Sequence, residues 1–136
     1  MEALFHISPR EFELLVAALY GQLGYKVEVT PAGRDGGRDV IARRNLAGRC
    51  EVVEIECKAH TSAIGVQIVR ALRGVVGGSG SNRGVVVTTS RFTRGALKIA
   101  ADDHRIELVD GATLVQMLNS VFGARWIHDR SWVCRA

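Results

Sequence analysis

Residues 50–58 read CEVVEIECK, and their alternating pattern predicts the central strand of the fold. Side chains of a strand point alternately to its two faces, so the three ionisable residues Glu54, Glu56 and Lys58 share one face. Ionisable groups inside an apolar run cost folding free energy unless they are paired or bind a metal. This face of the strand therefore indicates a functional site.

A glycine-rich turn lies just upstream of that strand. Residues 33–41 read GRDGGRDVI, which delivers Asp39 to the start of another short strand. If the two strands form a hairpin, Asp39, Glu56 and Lys58 converge. A structural ion-pair cluster is the alternative interpretation of these three residues, although a buried ion pair is a weak stabiliser.

Composition limits the classes of protein that the chain can belong to. With 136 residues, 47% of them hydrophobic, it fits one domain with a real core. Its apolar runs are too short for a membrane span, and the N-terminus lacks the pattern of a signal peptide, so we expect a cytoplasmic protein without a membrane partner. Three cysteines without C-x-x-C spacing favour neither a zinc site nor a disulfide framework.

The charge balance permits nucleic acid as a partner. Eighteen Lys and Arg residues stand against fourteen Asp and Glu, a net charge of +4, and neutralisation of phosphates by basic side chains dominates non-specific DNA binding. A solvated basic surface is the alternative. Many of the arginines fall in or beside predicted loops, namely Arg34, Arg38, Arg43, Arg44, Arg49, Arg91 and Arg94.

The remaining chain divides into alternating elements. Ser8, Pro9 and Glu11 form a capping-box pattern that begins a helix, with Phe12 and Leu15 among its core residues, and the helix ends near residues 21–24. The pattern predicts strands at 25–30, 38–43, 84–90 and 105–110, a basic loop from 43 to 49, and helices at 65–76, 93–103 and after an Asp110 cap. The helix at 65–76 is expected to turn Ile64, Ile68, Leu72 and Val75 inward and Arg70 and Arg73 outward.

The resulting order is α-β-β-β-α-β-α-β-α, which predicts a three-layer α/β/α fold with a mixed central sheet. The glycine cluster at 77–82 follows a helix and leads into a strand, the reverse of a phosphate-binding turn. We expect one domain over residues 1–120. Residues 121–136 form a C-terminal extension with Trp126, His128, Trp132 and Cys134, whose pattern is too short to assign.

Five phrases follow one another along the chain, up to about residue 119. They are FELLVAALYGQLGY (12–25), DGGRDVIA (35–42), EIECK (54–58), GVVVTTSRFTRGALKIA (84–100) and IELVDGATLVQML (106–118). Together they resemble the catalytic domain of Mrr-type restriction endonucleases, within the PD-(D/E)xK nuclease superfamily. The D…ExK signature is weak alone, and the accompanying helix, turn and strand phrases give it weight. The Mrr branch often has Gln where Glu56 stands here.

The resemblance implies a restriction-endonuclease-like fold, and it implies a role for each of several residues in an active site. Asp39 and Glu56 would hold a divalent cation, Mg²⁺ or its substitute Mn²⁺, with the backbone carbonyl of Cys57 as a further ligand. Lys58 would orient or help to deprotonate the attacking water. Glu13 matches an acidic residue on the first helix near the metal; a solvated helix residue is the alternative.

DNA contacts are predicted around this site, to the phosphate backbone. Gln67 matches a polar position early in the helix after the motif, and His60 lies just beyond the motif, where an ordinary surface histidine is the alternative. Arg34, Arg38 and Arg91 complete the predicted set.

Three functions follow from the sequence: a metal-dependent DNA endonuclease of restriction type acting by direct attack of water, a Holliday-junction or repair nuclease of the same fold, and a DNA-binding or assembly module without turnover. No target-reading domain is recognisable, so specificity would come from another domain, a separate subunit or loops of this chain. Cleavage of both strands would be easiest for a homodimer.

Overall fold

The computed structural model describes residues 7–30, 40–78, 80–123 and 126. Within these ranges, four helices and five strands follow one another in the predicted order α-β-β-β-α-β-α-β-α. They are α1 (Pro9–Gln22), β1 (Lys26–Val29), β2 (Val40–Leu46), β3 (Arg49–Lys58), α2 (Val66–Val75), β4 (Arg83–Thr88), α3 (Arg94–Ala101), β5 (Ile106–Val109) and α4 (Gly111–Phe122).

The five strands form one mixed sheet in the order β1-β2-β3-β4-β5. The pairs β1–β2 and β2–β3 are antiparallel, whereas β3–β4 and β4–β5 are parallel. Strands β1, β3, β4 and β5 therefore run in the same direction. We call the edge where these four strands end the C-terminal edge and the opposite one the N-terminal edge.

Each face of the sheet has its own hydrophobic core, which gives the predicted three layers. The first core joins α1 and α4 to the face that carries Val53 and Ile55. The second joins α2 and α3 to the face that carries Val86. Because Glu56 is the register partner of Val86, Glu56 projects on the side of the second core.

Helix α1 begins as its sequence predicts. The Ser8 hydroxyl accepts a hydrogen bond from the Glu11 amide, and the Glu11 carboxylate accepts one from the Ser8 amide, each over 3.1 Å. This capping box satisfies two amides that have no partner inside the helix. Phe12 and Leu15 are fully buried beneath the sheet.

The buried stripe of α2 differs from the prediction. Ile64 and Leu72 are buried as expected, but Val69 and Val76 are the other buried residues, while Ile68 and Val75 are only partly buried. Gly84 on β4 has no side chain and leaves space that Leu72 and Val76 fill, which accounts for the burial of Val76. Arg70 and Arg73 are exposed, as predicted.

The basic loop predicted from 43 to 49 is wrong, since β2 continues to Leu46. Leu46 pairs with Arg49 across a two-residue turn of Ala47 and Gly48, which both have positive φ. Two positive φ values are the requirement of a type I′ hairpin turn, which suits the twist of the flanking strands. The prediction failed because Ala-Gly is a weak signal for a hairpin turn, and because the arginines at 43 and 44 were interpreted as part of a basic loop.

At the C-terminal end, Trp126 packs against the first core and is 5% exposed. Its indole nitrogen donates a hydrogen bond to the Asn119 side chain over 2.8 Å. His128, Trp132 and Cys134 lie outside the described residues. No helix in the described part of the chain is both long and apolar enough to cross a membrane.

Candidate active site

Glu56 and Lys58 lie next to each other on one face of β3, where the strand ends at the C-terminal edge. The Lys58 ammonium is 3.2 Å from Glu56 Oε1. The Glu56 side chain is 8% exposed and that of Lys58 is 28% exposed, so Glu56 is buried while Lys58 is partly open to solvent. The pair therefore places a buried carboxylate next to a more accessible lysine.

Glu54 continues the same row toward the N-terminal edge. It is 2% exposed, and its register partner on β4 is Gly84, as Glu56 pairs with Val86 and Lys58 with Thr88. The three ionisable residues thus share one face, as the alternation predicts. The row becomes more exposed toward the C-terminal edge, so a polar substrate would meet Lys58 first.

Asp39, Arg34 and Arg38 lie outside the described residues. Asp39 directly precedes Val40 in the sequence, and Val40 is the register partner of Ile55, the residue before Glu56. Its convergence with Glu56 and Lys58 stays a prediction.

Glu13 lies on α1 near the C-terminal edge. One Arg10 nitrogen donates to Glu13 Oε1 over 2.8 Å and to the carbonyl of Thr30 over 2.7 Å. Thr30 follows the end of β1, and β1 runs in the direction of β3, so Glu13 and Lys58 belong to the same edge. Helix α1 covers the opposite face from Glu56, and the side chain of Glu13 is 16% exposed.

The three described residues of the predicted DNA contact set also belong to this edge. His60 lies two residues beyond β3, Arg91 lies three residues beyond β4, and Gln67 is in the first turn of α2. All three are exposed. They are therefore accessible to a large ligand without a rearrangement of the fold.

The sequence predicted no role for the hydroxyl residues at the end of β4. Thr88 and Thr89 are buried, and their hydroxyls donate to the backbone carbonyls of Lys58 and His60, at the end of β3 and just beyond it. In the sequence, residues 88–90 are visible only as a run of hydroxyl residues at the end of an apolar strand. Their partners can be identified only from the parallel register of β4 with β3.

A second charged cluster lies at the N-terminal edge, around Glu51. Its carboxylate accepts hydrogen bonds from Arg44 over 2.7 Å and from the Tyr25 hydroxyl over 3.0 Å, and Arg83 approaches within 3.4 Å. Burial opposes ionisation of Glu51, but the hydrogen bonds from Arg44 and Tyr25 outweigh it and hold the pKa of this carboxyl below its usual value. Burial and the bond to Glu51 raise the pKa of the Tyr25 hydroxyl.

The cluster around Glu51 closes the N-terminal edge of the first core, and Arg44 also stacks on the Tyr25 ring at 4.3 Å. A cleft of about 800 Å³ opens beside it, lined by residues that include Tyr25, Lys26 and Arg43. This cleft lies at the other edge of the sheet from Lys58. Because Arg44 and Arg43 already face Glu51 and Glu28, we assign the cluster a structural role.

The donor chemistry at the C-terminal edge fits a hard cation. Glu56 offers a carboxylate, the backbone of Cys57 offers a carbonyl oxygen, and oxygen ligands of this kind suit Mg²⁺. Within the described ranges, no three or more His, Cys, Asp or Glu side chains are grouped to hold a metal ion. Asp39, the other predicted ligand, lies outside those ranges.

Comparison with known proteins shows the family to which this chain belongs. The profile of a family described as "Restriction endonuclease", Mrr_cat, matches residues 4–118. The type IV methyl-directed restriction enzyme EcoKMrr of Escherichia coli K12 is 31% identical over 123 residues, which are 87% of this chain and 40% of that protein. The chain thus spans less than half the length of this curated relative.

Solved structures agree with the sequence match. The DNA modification-dependent restriction endonuclease AspBHI has a TM-score of 0.74 and 28% identity, covering 98% of this chain and 36% of that one. The MspJI restriction endonuclease in complex with a 27-mer oligonucleotide has a TM-score of 0.69 at 24% identity, over 89% of this chain and 30% of that one, and supports the fold. The chain therefore belongs to the Mrr family of restriction endonuclease catalytic domains, with the restriction-endonuclease-like fold.

Proposed function

We propose that this chain is the catalytic domain of an endonuclease that hydrolyses DNA phosphodiester bonds, with Asp39, Glu56 and Lys58 as its central residues. The observation that carries the proposal is the buried Glu56 carboxylate 3.2 Å from the accessible Lys58 ammonium, in a chain of the Mrr family. A buried ion pair is a weak stabiliser, so a purely structural pair gives little reason to keep the Glu56 carboxylate inside the fold beside Lys58.

Each residue has a distinct task in this proposal. The Lys58 ammonium orients the attacking water and offsets the negative charge that develops on the phosphate. Glu56 holds that ammonium in place through their contact and keeps it directed toward the edge. His60, Gln67 and Arg91, with Arg34 and Arg38, bind the phosphate backbone on either side of the reacting group.

The proposal includes a divalent cation, Mg²⁺ or Mn²⁺, held by Asp39, Glu56 and the carbonyl of Cys57. When bound, such a cation supplies counter-charge to the phosphate and favours ionisation of water near neutral pH. Glu13 is proposed as an auxiliary acidic residue of the same edge, and its position beside Thr30 supports that role.

Substrate choice is proposed from the relatives. EcoKMrr is named as methyl-directed and AspBHI as modification-dependent, and the chain spans 40% and 36% of these two proteins. We propose modified DNA as the first substrate class to test, with target recognition by a further domain or subunit. Residues 1–120 would be the nuclease domain and 121–136 an extension attached through Trp126, while homodimerisation stays a prediction.

The test is cleavage of supercoiled plasmid, methylated and unmethylated, in Mg²⁺, in Mn²⁺ and in EDTA. We expect nicking or linearisation that requires metal and is lost in Asp39→Ala and in Lys58→Ala, with unchanged circular dichroism spectra. Lys98→Ala is the matched control, because Lys98 is an exposed lysine on α3. It should cleave like the parent.

Two outcomes would contradict the proposal. Equal cleavage by the parent and by Lys58→Ala would remove Lys58 from the chemistry. Metal and DNA binding without cleavage of either plasmid would favour the alternative of a DNA-binding module.

A further inference from the structure

The side chain of Thr88, the last residue of β4, is tied to the backbone of Lys58. Its hydroxyl donates a hydrogen bond to the Lys58 carbonyl over 2.7 Å and accepts one from the Ser90 amide over 3.1 Å. Thr88 is fully buried. Both the donor and the acceptor capacity of the hydroxyl are therefore used, which fixes its orientation.

The next two residues extend this attachment along the neighbouring chain. The Thr89 amide donates to the same Lys58 carbonyl over 3.3 Å, and the Thr89 hydroxyl both accepts from the His60 amide and donates to the His60 carbonyl. The Ser90 hydroxyl donates to the carbonyl of Thr61 over 3.3 Å. Three consecutive side chains thus hold the backbone from Lys58 to Thr61.

The attachment matters because Lys58 is the last residue of β3. Strand ends lose the ladder that holds their backbone, and a lysine carries its charge on a flexible four-carbon stem. A backbone displacement at this position would move the ammonium, which is 3.2 Å from Glu56 Oε1. The carbonyl of Lys58 instead accepts two hydrogen bonds, from the Thr88 hydroxyl and the Thr89 amide, and the bond from Thr88 is the shorter.

We propose that Thr88 is a positioning residue for Lys58: its hydroxyl fixes the end of β3 so that the ammonium is held at the reacting edge. The proposal rests on the proposed nuclease function for its effect on catalysis, while its structural part concerns only the order of the Lys58 side chain. The competing view is that Thr88 merely satisfies buried backbone groups.

The variants separate these two views. Thr88→Val keeps the shape and removes both hydrogen bonds, Thr88→Ala is a second hydroxyl-free variant should the valine fold poorly, and Thr88→Ser retains the hydroxyl. Ser81→Ala is the matched control, since the buried Ser81 hydroxyl accepts from the Gly77 amide just before β4, at the N-terminal edge. It loses a buried hydroxyl far from Lys58.

Two quantities are measured on every variant. The first is the single-turnover cleavage rate at saturating metal and DNA, together with DNA affinity in EDTA. The second is the ¹³C relaxation of the Lys58 side chain, which is easy to resolve because the chain has only two other lysines, Lys26 and Lys98.

In Thr88→Val we expect a rate loss of roughly 10- to 100-fold, the range that misplacement of a catalytic group produces. DNA affinity should stay unchanged and the Lys58 side chain should become more mobile, with Thr88→Ser restoring both the rate and the order. Ser81→Ala should lose stability but keep the parental rate and the parental Lys58 relaxation.

Unchanged Lys58 relaxation in both hydroxyl-free variants would overturn the proposal, as would equal rate losses in Thr88→Val and Ser81→Ala. If the parent itself cleaves no DNA, the proposed function fails, and the relaxation data still decide whether Thr88 positions Lys58.

Discussion

The position of a single residue could be predicted from the sequence where it depends only on the alternation of side chains along one strand. Glu56 and Lys58 share a face of β3 because side chains alternate, and the sequence alone carries that information. The roles of Thr88 and Glu51 depend on the neighbouring strands, because each meets its partners only through the sheet register. Sequence proximity gives no sign of such contacts.

Glu51 leads to a prediction about pH. Its pKa is lowered in the folded chain, so it stabilises the fold above the pKa of an unfolded glutamate, near 4.5, and this contribution is lost as the pH falls below that value. Glu51→Gln should therefore cost about 2 kcal/mol of unfolding free energy at pH 7, the range of hydrogen bonds to a partly buried charged group. Urea denaturation at pH 7 and pH 3.5 should show the difference between parent and variant shrinking at the lower pH.

A carboxylate of the surface provides the control. Glu28 contacts Arg43 at 3.5 Å but its side chain is 63% exposed, and such pairs contribute about 0–1 kcal/mol. Glu28→Gln should change the stability little at either pH. An equal effect of the two substitutions would show that the Glu51 cluster does not stabilise the fold.

Among the elements, those with a strong local signal were the predictable ones. Helix α1 has its capping box, and Asp110 caps α4, because its side chain accepts a hydrogen bond from the Thr113 amide. The end of β2 was missed because Arg43 and Arg44 are typical of loops, yet Arg44 is held in the strand by Glu51 and Tyr25. Contacts between strands outweighed the local preference there.

The packing of α2 on β4 gives an element-level prediction. A methyl group on Gly84 would lie 2.7 Å from Val76 Cγ2 and 2.8 Å from Leu72 Cγ. Gly84→Ala should therefore destabilise the domain by about 1–3 kcal/mol, the usual cost of overpacking a core. The thermal unfolding midpoint measures this effect.

Gly74 on α2 is the matched position, because a methyl group there would meet no atom within 4 Å. Gly74→Ala should raise the stability by roughly 0.5–1 kcal/mol through the better helix propensity of alanine. Loss of stability in both variants would mean that α2 tolerates no change, and the argument from Gly84 would fail.

For the whole molecule, the positive net charge agrees with the proposed DNA partner, but it does not indicate where DNA would bind. Arg44, Arg83 and Arg105 all form ion pairs with carboxylates at the N-terminal edge or near it, whereas Arg91 is exposed beyond β4 at the C-terminal edge. Only the fold shows that Arg91 lies at the same edge of the sheet as Lys58. Asp39 remains predicted from its motif.

This distribution predicts the salt dependence of DNA binding. The logarithm of the association constant should fall linearly with the logarithm of salt concentration, and Arg91→Ala should reduce the slope by about 1. Arg105→Ala is the control, since Arg105 pairs with Asp103 just before β5 and should leave the slope unchanged. Fluorescence anisotropy in EDTA measures both, and equal slopes for the two variants would exclude Arg91 as a phosphate contact.

The strand order of the sheet also bears on how the chain folds. Each strand pairs with the strand next to it in sequence, so no strand has to enter between two that have already paired. The meander of β1, β2 and β3 can form before residues 83–109 are available, and β4 and β5 then add to one growing side. Sheets built from such near-neighbour contacts form faster than those that require distant pairing. During synthesis, the chain would complete the strand that bears Glu56 and Lys58 first and add afterwards the strand whose Thr88 anchors it.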